Sequence, residues 1–497
     1  MHQTLNQQLH GVSLRDVLPD GRALGAADIR TTSCCSDSRR CRQGDLFVAL
    51  VGAEEDGHEY ARDAVRRGAQ AILAERHVPV GVPTYLVNDT RYAYARVCQA
   101  LADNPSQHMH VIGVTGTSGK TTTSMLITAV LEAGGYRSGI MGSLGYSDSV
   151  DSAAASSATP SPPELADWLA RMRANGCSHA VLELSSIALA RHQAAGVELS
   201  AGCLTNVRRD HLDYHGSLLN YRDAKGRMFQ HLKQDGFAVI NADDAASNRY
   251  LTSLECPALT IGMRHPADPA GLTATVVERH KSEQTFLMSA GSETVPVRTH
   301  MIGDHHVYNC LTAAAIGLVN GMDLATIARG LEAIDSLPGR MERIECGQPF
   351  GVFVDNAHNA DSLAVVLKTL RAVTKGKLYC VFGAAGDECK DKRPLMGRVA
   401  ERGCDVAVLT TNDPGTEPPL SIIHDILDGY DRPSRAQVMP DRARAICWAI
   451  AQAKKSDTVL IAGLGEQPHP VAADQGNCYA DRDIARGLLY EIAEGGT

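Results

Sequence analysis

No apolar run in the chain reaches the roughly 18 residues needed to cross a bilayer. Residues 1–11 are polar and carry no secretory signal, so neither membrane insertion nor export is expected. The chain also lacks a surplus of positive charge. Its 48 Lys and Arg face 57 Asp and Glu, a formal net charge of −9. A nucleic-acid binder neutralises phosphates with Lys and Arg, so this balance argues against that class. A local basic pocket for a phosphorylated small molecule is still open. Finally, no C-x-x-C pair occurs among the fourteen cysteines, although Cys34 and Cys35 are adjacent and Cys41 lies near them. Scattered thiols of this kind read as reduced cysteines of a cytoplasmic protein rather than a zinc framework.

What is present is a long, ordinary globular composition. The 497 residues are 44% hydrophobic and 21% charged, which suggests roughly three domains. Short apolar runs at 45–51, 69–74 and 84–87 alternate with helical patterns at 60–68 and 90–102. Turn residues at 103–107 mark a linker. Strands follow at 111–115, 180–184 and 237–240, with helices at 121–133, 307–318 and 323–333. The Ser-, Ala- and Pro-rich stretch 147–163 reads as a mobile loop. A second boundary falls at Leu337-Pro338-Gly339. Beyond it, strands at 352–355, 378–382, 405–410 and 458–462 alternate with helices at 361–370, 393–402, 420–428, 441–453 and 483–493. The expected fold is α/β in three domains: 1–107, 108–337 and 338–497. No solenoid period is seen.

Between the strand at 111–115 and the helix after it lies Gly116-Thr117-Ser118-Gly119-Lys120-Thr121-Thr122. Glycines let backbone N–H groups turn around phosphate oxygens, and a helix N-terminus favours their charge. Lys120 can then reach the β- and γ-phosphates, and the Thr121 hydroxyl can ligate Mg2+. Val114 stands where the strict G-x-x-x-x-G-K-T spacing wants its first glycine, but the strand–turn–helix context supports a nucleotide-binding loop.

The loop and six further segments, in order, resemble the Mur ligase family, in particular its MurE type. Ser36-Asp37-Ser38-Arg39 with residues 44–49 and Asp56-Gly57-His58 resembles the UDP-recognition domain. Asp210-His211-Leu212-Asp213-Tyr214-His215-Gly216 with Lys225 resembles a MurE signature. Leu337-Pro338-Gly339-Arg340-Met341-Glu342, Asp355-Asn356-Ala357-His358, Gly386-Asp387 and Lys392-Arg393-Pro394-Leu395-Met396 complete the series. The resemblance implies a UDP-precursor domain, a central ATPase domain with a mostly parallel sheet, and a Rossmann-like C-terminal domain holding the amino acid.

It further implies an ATP-dependent ligase of peptidoglycan precursor synthesis. A substrate carboxylate would attack ATP's γ-phosphorus, and an amine would displace the resulting acyl-phosphate, a chemistry of positioning and charge screening. Glu183 and His211 would hold Mg2+, and Lys225 would be carbamylated to an anion that supports a metal. Asn309, Arg340, Asp355 and His358 would meet the nucleotide. The implied substrates are the UDP-muramoyl dipeptide and a diamino acid, meso-diaminopimelate above others. Ser38, Thr159, Ser185, Ser186, Arg191, Gln193, Arg393, Asn412, Asp413, Gly415, Gly463 and Gln467 are the substrate-side candidates. The expected protein is a cytoplasmic monomer.

Departures from the pattern collect on the substrate side. Ile187 stands in place of the usual histidine of Glu-Val-Ser-Ser-His, and Gln193 in place of an arginine. His305 and His306 replace the usual Phe-Asn. The diaminopimelate-adding enzymes carry Asp-Asn-Pro-Arg where this chain has Asn412-Asp413-Pro414-Gly415. Gly465-Glu466-Gln467 replaces Gly-His-Glu. Removing a charge partner from a buried site costs about 2–5 kcal/mol of binding, enough to change substrate choice. The alternatives are a MurE-like paralogue with another amine or acceptor and, from a different class, a P-loop switch ATPase.

Overall fold

The computed structural model describes residues 11–52, 55–264, 271–470 and 478–495. Residues 1–10 of the polar N-terminal stretch lie outside them.

Three sheets succeed one another along the chain. The first has five strands between Arg22–Leu24 and Thr84–Leu86, parallel except at the Arg22–Leu24 edge. The second has eleven strands. At its centre His110–Thr115 lies between His179–Glu183 and Leu199–Leu204, all three parallel. The third has six strands. Gly351–Asp355, Thr458–Ala462, Leu378–Phe382, Val406–Leu409 and Gln437–Val438 run parallel, and only Glu342–Arg343 is antiparallel. No helix among the described residues is long and apolar enough to cross a membrane.

The central strands carry apolar side chains on both faces because helices cover both. One face packs on the helix Lys120–Ala133, whose Leu126, Ile127, Val130 and Leu131 are wholly buried. The helices Asp304–Val319 and Leu324–Glu332 close over it. They can do so because Gly317 and Gly330 face Val130: a Cβ on Gly330 would lie 2.6 Å from the Val130 Cα. This packing fixes the start of the Lys120 helix, and with it the glycine loop.

Two expectations from sequence need correction. Residues 147–163 are tied down rather than mobile. A hairpin pairs Gly145–Ser147 with Ser152–Ala153. The Asp148 carboxylate accepts the N–H groups of Val150 and Asp151 and the Arg171 guanidinium. The Tyr146 hydroxyl clasps Ser157, donating to its carbonyl and accepting from its N–H. The segment 103–107 is likewise a packed joint. Pro105 and Ser106 are buried, Ser106 Oγ accepts the Glu198 N–H at 3.1 Å, and Gln107 donates to Glu198 at 2.9 Å.

The strands Ser138–Gly142, Leu199–Leu204, Ala258–Gly262, Leu272–Arg279, Gln284–Ala290 and Glu293–Thr299 were not read from the sequence. The first two are rich in small residues with weak strand preference, and the last three form a meander at the sheet edge.

Gly330→Val is expected to lower the unfolding free energy by about 1–3 kcal/mol, since overpacking a close helix contact costs that much. Urea denaturation checks this. A variant as stable as the parent would mean that the three helices can separate freely.

Candidate functional site

The glycine loop is shaped by what stands against it. A Cβ on Gly116 would collide with Thr205 Oγ1, and one on Gly119, whose φ is +85°, would sit 2.6 Å from Asn309 Oδ1. The loop is braced from the end of Leu199–Leu204. Asn206 accepts the Ser118 N–H at 3.1 Å and donates to the Ser118 carbonyl at 2.9 Å, while Thr205 Oγ1 donates to that carbonyl at 2.7 Å. Thr117 Oγ1 lies 2.9 Å from the Tyr221 hydroxyl. Thr121 and Thr122 are buried in the first helical turn.

Charge gathers around this loop in a desolvated setting. Lys120 Nζ donates to the carbonyls of Gly116 and Thr117 at 3.0 and 3.2 Å. Lys225, only 1% exposed, donates to the same Gly116 carbonyl at 2.7 Å, and its Nζ stands 4.6 Å from the Tyr221 ring centre. Burial, and then the Lys120 charge, push the Lys225 ammonium well below the usual lysine range. Burial also lowers Lys120, against the opposing pull of Glu183 and Asp210.

Glu183, at the end of its strand and 2% exposed, accepts the Ser143 N–H at 3.0 Å and the Thr121 hydroxyl at 3.2 Å. Burial raises its carboxyl, with Lys120 working against that rise. Asp210 faces the other side. Burial would raise it, but the charges of His211, His358, Lys120 and Lys392 together hold it below its ordinary value. His211 opens the short helix Leu212–His215 with φ +49°, its ring partly exposed.

The C-terminal domain reaches into this cluster. Arg340 donates to Thr121 Oγ1 at 3.3 Å and pairs with Glu466 at 3.7 Å. The Asp355 carboxylate accepts the Met341 N–H at 2.7 Å, and burial lifts its pKa to about 6. His358 Nδ1 lies 2.7 Å from the Asn356 carbonyl. Asn309 is buried beside Gly119, and His305 and His306 pack their rings 4.6 Å apart in the first turn of the same helix.

The substrate-side candidates fall in two places. A cleft of about 1090 Å³ between the first and second sheets is lined by Ser36, Asp37, Arg39, Arg40, Arg191 and Gln193, among others. Ser38 is buried beneath that loop instead of lining the cleft. Arg191 reaches the Tyr214 hydroxyl at 3.1 Å. Thr159 Oγ1 ties the cleft to the phosphate side, donating to the Glu183 carbonyl at 2.7 Å and accepting the Ser185 N–H at 2.9 Å. Ser185 caps the helix Ser186–Ala190, and Ser186 Oγ meets His215 at 3.1 Å.

The second place is the loop cluster after the C-terminal strands. Gly386 donates its N–H to the Asp413 carbonyl at 2.7 Å, and Gly415, at φ +53°, adjoins the Asp387 carboxylate that accepts the Thr416 N–H. Gly463 faces the Asn412 amide, and Gln467 is exposed. Arg393 does not stand open to a substrate carboxylate. It is wholly buried, and its guanidinium fork is filled by Glu417 at 2.7 and 2.9 Å and Asp425 at 2.8 Å. A carboxylate needs a vacant fork to bind bidentately, and the chain's own acids fill this one.

Sequence reading had not singled out Ser143, Thr205, Asn206, Asp210 or Glu466 as site residues. Asp210 lay inside a quoted motif. The others become visible only once strand ends and turns are folded together.

The chain matches three family profiles in succession: the Mur ligase family catalytic domain over residues 31–104, the Mur ligase middle domain over 114–317, and the Mur ligase glutamate ligase domain over 339–465. The chain belongs to the Mur ligase family. It is an ATP-dependent, ADP-forming ligase that joins a carboxylate to an amine. A relative from Geobacillus kaustophilus, named UDP-N-acetylmuramoyl-L-alanyl-D-glutamate–2,6-diaminopimelate ligase, is 38% identical over 92% of this chain and 94% of its own length. A like-named protein of Syntrophomonas wolfei is 36% identical over 94% and 96%. A solved structure of that name superposes with TM-score 0.69 at 27% identity, covering 97% of this chain and 99% of the other. The MurF ligase of Thermotoga maritima with ADP shares the fold, with TM-score 0.63 at 18% identity over 94% and 98%.

The raised Asp355 carboxyl gives the ligase a pH signature. A carboxyl whose folded pKa is raised adds stability below its unfolded value, near 3.8, and loses that contribution as pH climbs through about 6. Asp355→Asn is therefore expected to gain up to about 3 kcal/mol over the parent at pH 7.5, and nothing at pH 4. Urea unfolding at the two pH values measures it; an equal or lower stability of the variant at pH 7.5 contradicts the burial argument.

Proposed function

We propose that this ligase adds meso-diaminopimelate to UDP-N-acetylmuramoyl-L-alanyl-D-glutamate in the cytoplasm, as a monomer, with domain divisions near residues 107 and 337. The observation that carries the proposal is the convergence of Lys120, Lys225, Glu183 and Asp210 on the Gly116–Thr121 loop. It is joined by relatives of the same printed name aligned over more than nine-tenths of the chain. Among the described residues no disulfide is formed, which suits a reducing compartment.

In this reading the loop amides and Lys120 hold the nucleotide phosphates, and Arg340 steadies the same group from the C-terminal domain. Asn309, Asp355 and His358 belong to the nucleotide side. Thr121, Glu183 and His211 would hold Mg2+; carboxylate, hydroxyl and imidazole are a fitting donor set, and Glu183 and Thr121 already share a hydrogen bond. Bound there, the ion would screen charge on the phosphates. Lys225 suits carbamylation because a buried amine of lowered basicity is neutral, and the neutral amine is what adds to CO2, releasing one proton. The precursor would lie in the cleft between the first two sheets, with its carboxylate toward Glu183 and Lys120. The diamino acid would lie against the loops carrying Asn412, Asp413, Gly415, Gly463 and Gln467.

One observation favours a second reading, an amine other than diaminopimelate. Gly415 offers no cation to a distal carboxylate, and Arg393 is already engaged by Glu417 and Asp425. ADP release and product mass with the UDP-muramoyl dipeptide and diaminopimelate, lysine or ornithine separate the two. Product is expected with diaminopimelate at least tenfold faster than with lysine. Product from another amine alone selects the second reading, and ATP turnover without any amine points to a switch ATPase.

Lys225→Arg and Lys225→Ala are expected to lower kcat by about 10²–10³, the usual cost of removing one preorganised charged group. With 13C-bicarbonate, the parent should show a carbamate resonance that Lys225→Arg lacks. Full activity in either variant, or no such resonance in an active parent, removes the carbamate.

A further inference from the structure

The precursor cleft has a chemical feature that the ligase reaction does not use. The strand Cys34–Cys35 turns successive side chains to opposite faces of its sheet. Cys34 faces inward toward Cys98, with the sulfurs 3.8 Å apart. Cys35 faces the other way, toward Cys41, and these sulfurs are 2.6 Å apart. Both Cys35 and Cys41 line the cleft, Cys35 partly exposed and Cys41 buried. The chain between them, including the 3-10 turn Ser38–Arg40, carries the Asp37, Arg39 and Arg40 side chains that form one wall.

The Asp45 carboxylate approaches the same pair, so a soft metal is the first alternative to weigh. Distances decide against it. Two sulfurs on one zinc at about 2.3 Å each stand about 3.8 Å apart in tetrahedral geometry, whereas these are 2.6 Å apart. Asp45 is also occupied, accepting the Ser33 hydroxyl at 2.5 Å and the Arg42 N–H at 2.7 Å. Arg39, Arg40 and Arg42 around the cleft add further positive charge. A disulfide, with sulfurs about 2.05 Å apart, needs only a small approach.

We propose that Cys35 and Cys41 form a reversible disulfide modification site in the wall of this cleft, closed by exchange with a low-molecular-weight disulfide. In the first step the thiolate of the exposed Cys35 attacks one sulfur of the reagent. A mixed disulfide forms, and the other half leaves as a thiol. The Cys41 thiolate then attacks Cys35 Sγ, forming the internal bond and expelling a second thiol. The two protein thiols lose two electrons and two protons, and the reagent is reduced to two thiols. The bond closes the short loop 35–41 and fixes the cleft wall. Burial pushes both thiols up, most strongly Cys35, so the exchange quickens as pH rises. That Cys35 is shielded by a uridine nucleotide rests on the function proposed above; the disulfide itself does not.

The test uses the full-length protein, folded, treated with oxidised glutathione at pH 8 with and without excess UDP, then alkylated and mapped by mass spectrometry. The expected product is a peptide joining Cys35 to Cys41, about 2 Da lighter than its reduced form and restored by a thiol reductant. It should be absent from Cys35→Ser and from Cys41→Ser. The exposed Cys35 makes its serine variant the safer of the two to fold. A glutathione adduct on Cys35 that never resolves internally, a Cys34–Cys98 link in its place, or zinc co-purifying with the pair and blocking alkylation would each overturn the proposal. UDP should slow the cross-link at least threefold. A cross-link forming equally fast with UDP leaves the disulfide standing and removes the precursor from this cleft.

Discussion

Two lysine side chains meet one carbonyl. Lys120 and Lys225 both donate to the Gly116 carbonyl oxygen inside a buried site, and the rest of the structure is arranged around that crowding. Like charges in a desolvated space repel, and burial alone disfavours each. The site answers partly with Glu183 and Asp210, and partly by lowering the basicity of Lys225. Removing one partner of a buried charged set costs about 3–5 kcal/mol, so these groups act as a unit. An arrangement held under such tension suits a ligand that brings its own negative charge, and a triphosphate does.

The scaffold makes the crowding possible. Three helices packed on Val130 set the position from which the Lys120 helix begins. Thr205 and Asn206, at the end of a neighbouring parallel strand, clamp the loop before it. The next strand end supplies Glu183, and the Thr159 hydroxyl bridges that end to the wall of the precursor cleft. Phosphate side and carboxylate side are thus linked by two hydrogen bonds through one threonine. The third domain contributes through Arg340 on Thr121, so its seating against the second domain and the completion of the site are one event.

Much of this was legible in the residues. The glycine loop announced itself through its strand–turn–helix context. Glu183 stood at the end of an apolar run, and Lys225 followed a recognisable segment. The alternating pattern after residue 338 gave the third sheet almost strand for strand. What stayed hidden has physical reasons. Ser138–Gly142 and Leu199–Leu204 are strands by virtue of their neighbours, not their own preferences. The stretch 147–163 has the composition of a loose loop, yet the Asp148 carboxylate and Tyr146 hydroxyl hold it through groups distant in sequence. Arg393 illustrates the opposite error. Its type and place suited a substrate carboxylate, but Glu417, twenty-four positions on, had no visible link to it until the fold closed.

The account turns on a carboxylate oxygen attacking phosphorus before any amine arrives. Labelling the acceptor carboxylate of the UDP-muramoyl dipeptide with 18O and following the inorganic phosphate by mass spectrometry tests that order of events most directly. The account predicts one 18O transferred into each phosphate released, with the amide retaining the other. Phosphate carrying oxygen from solvent and none from the dipeptide would contradict it.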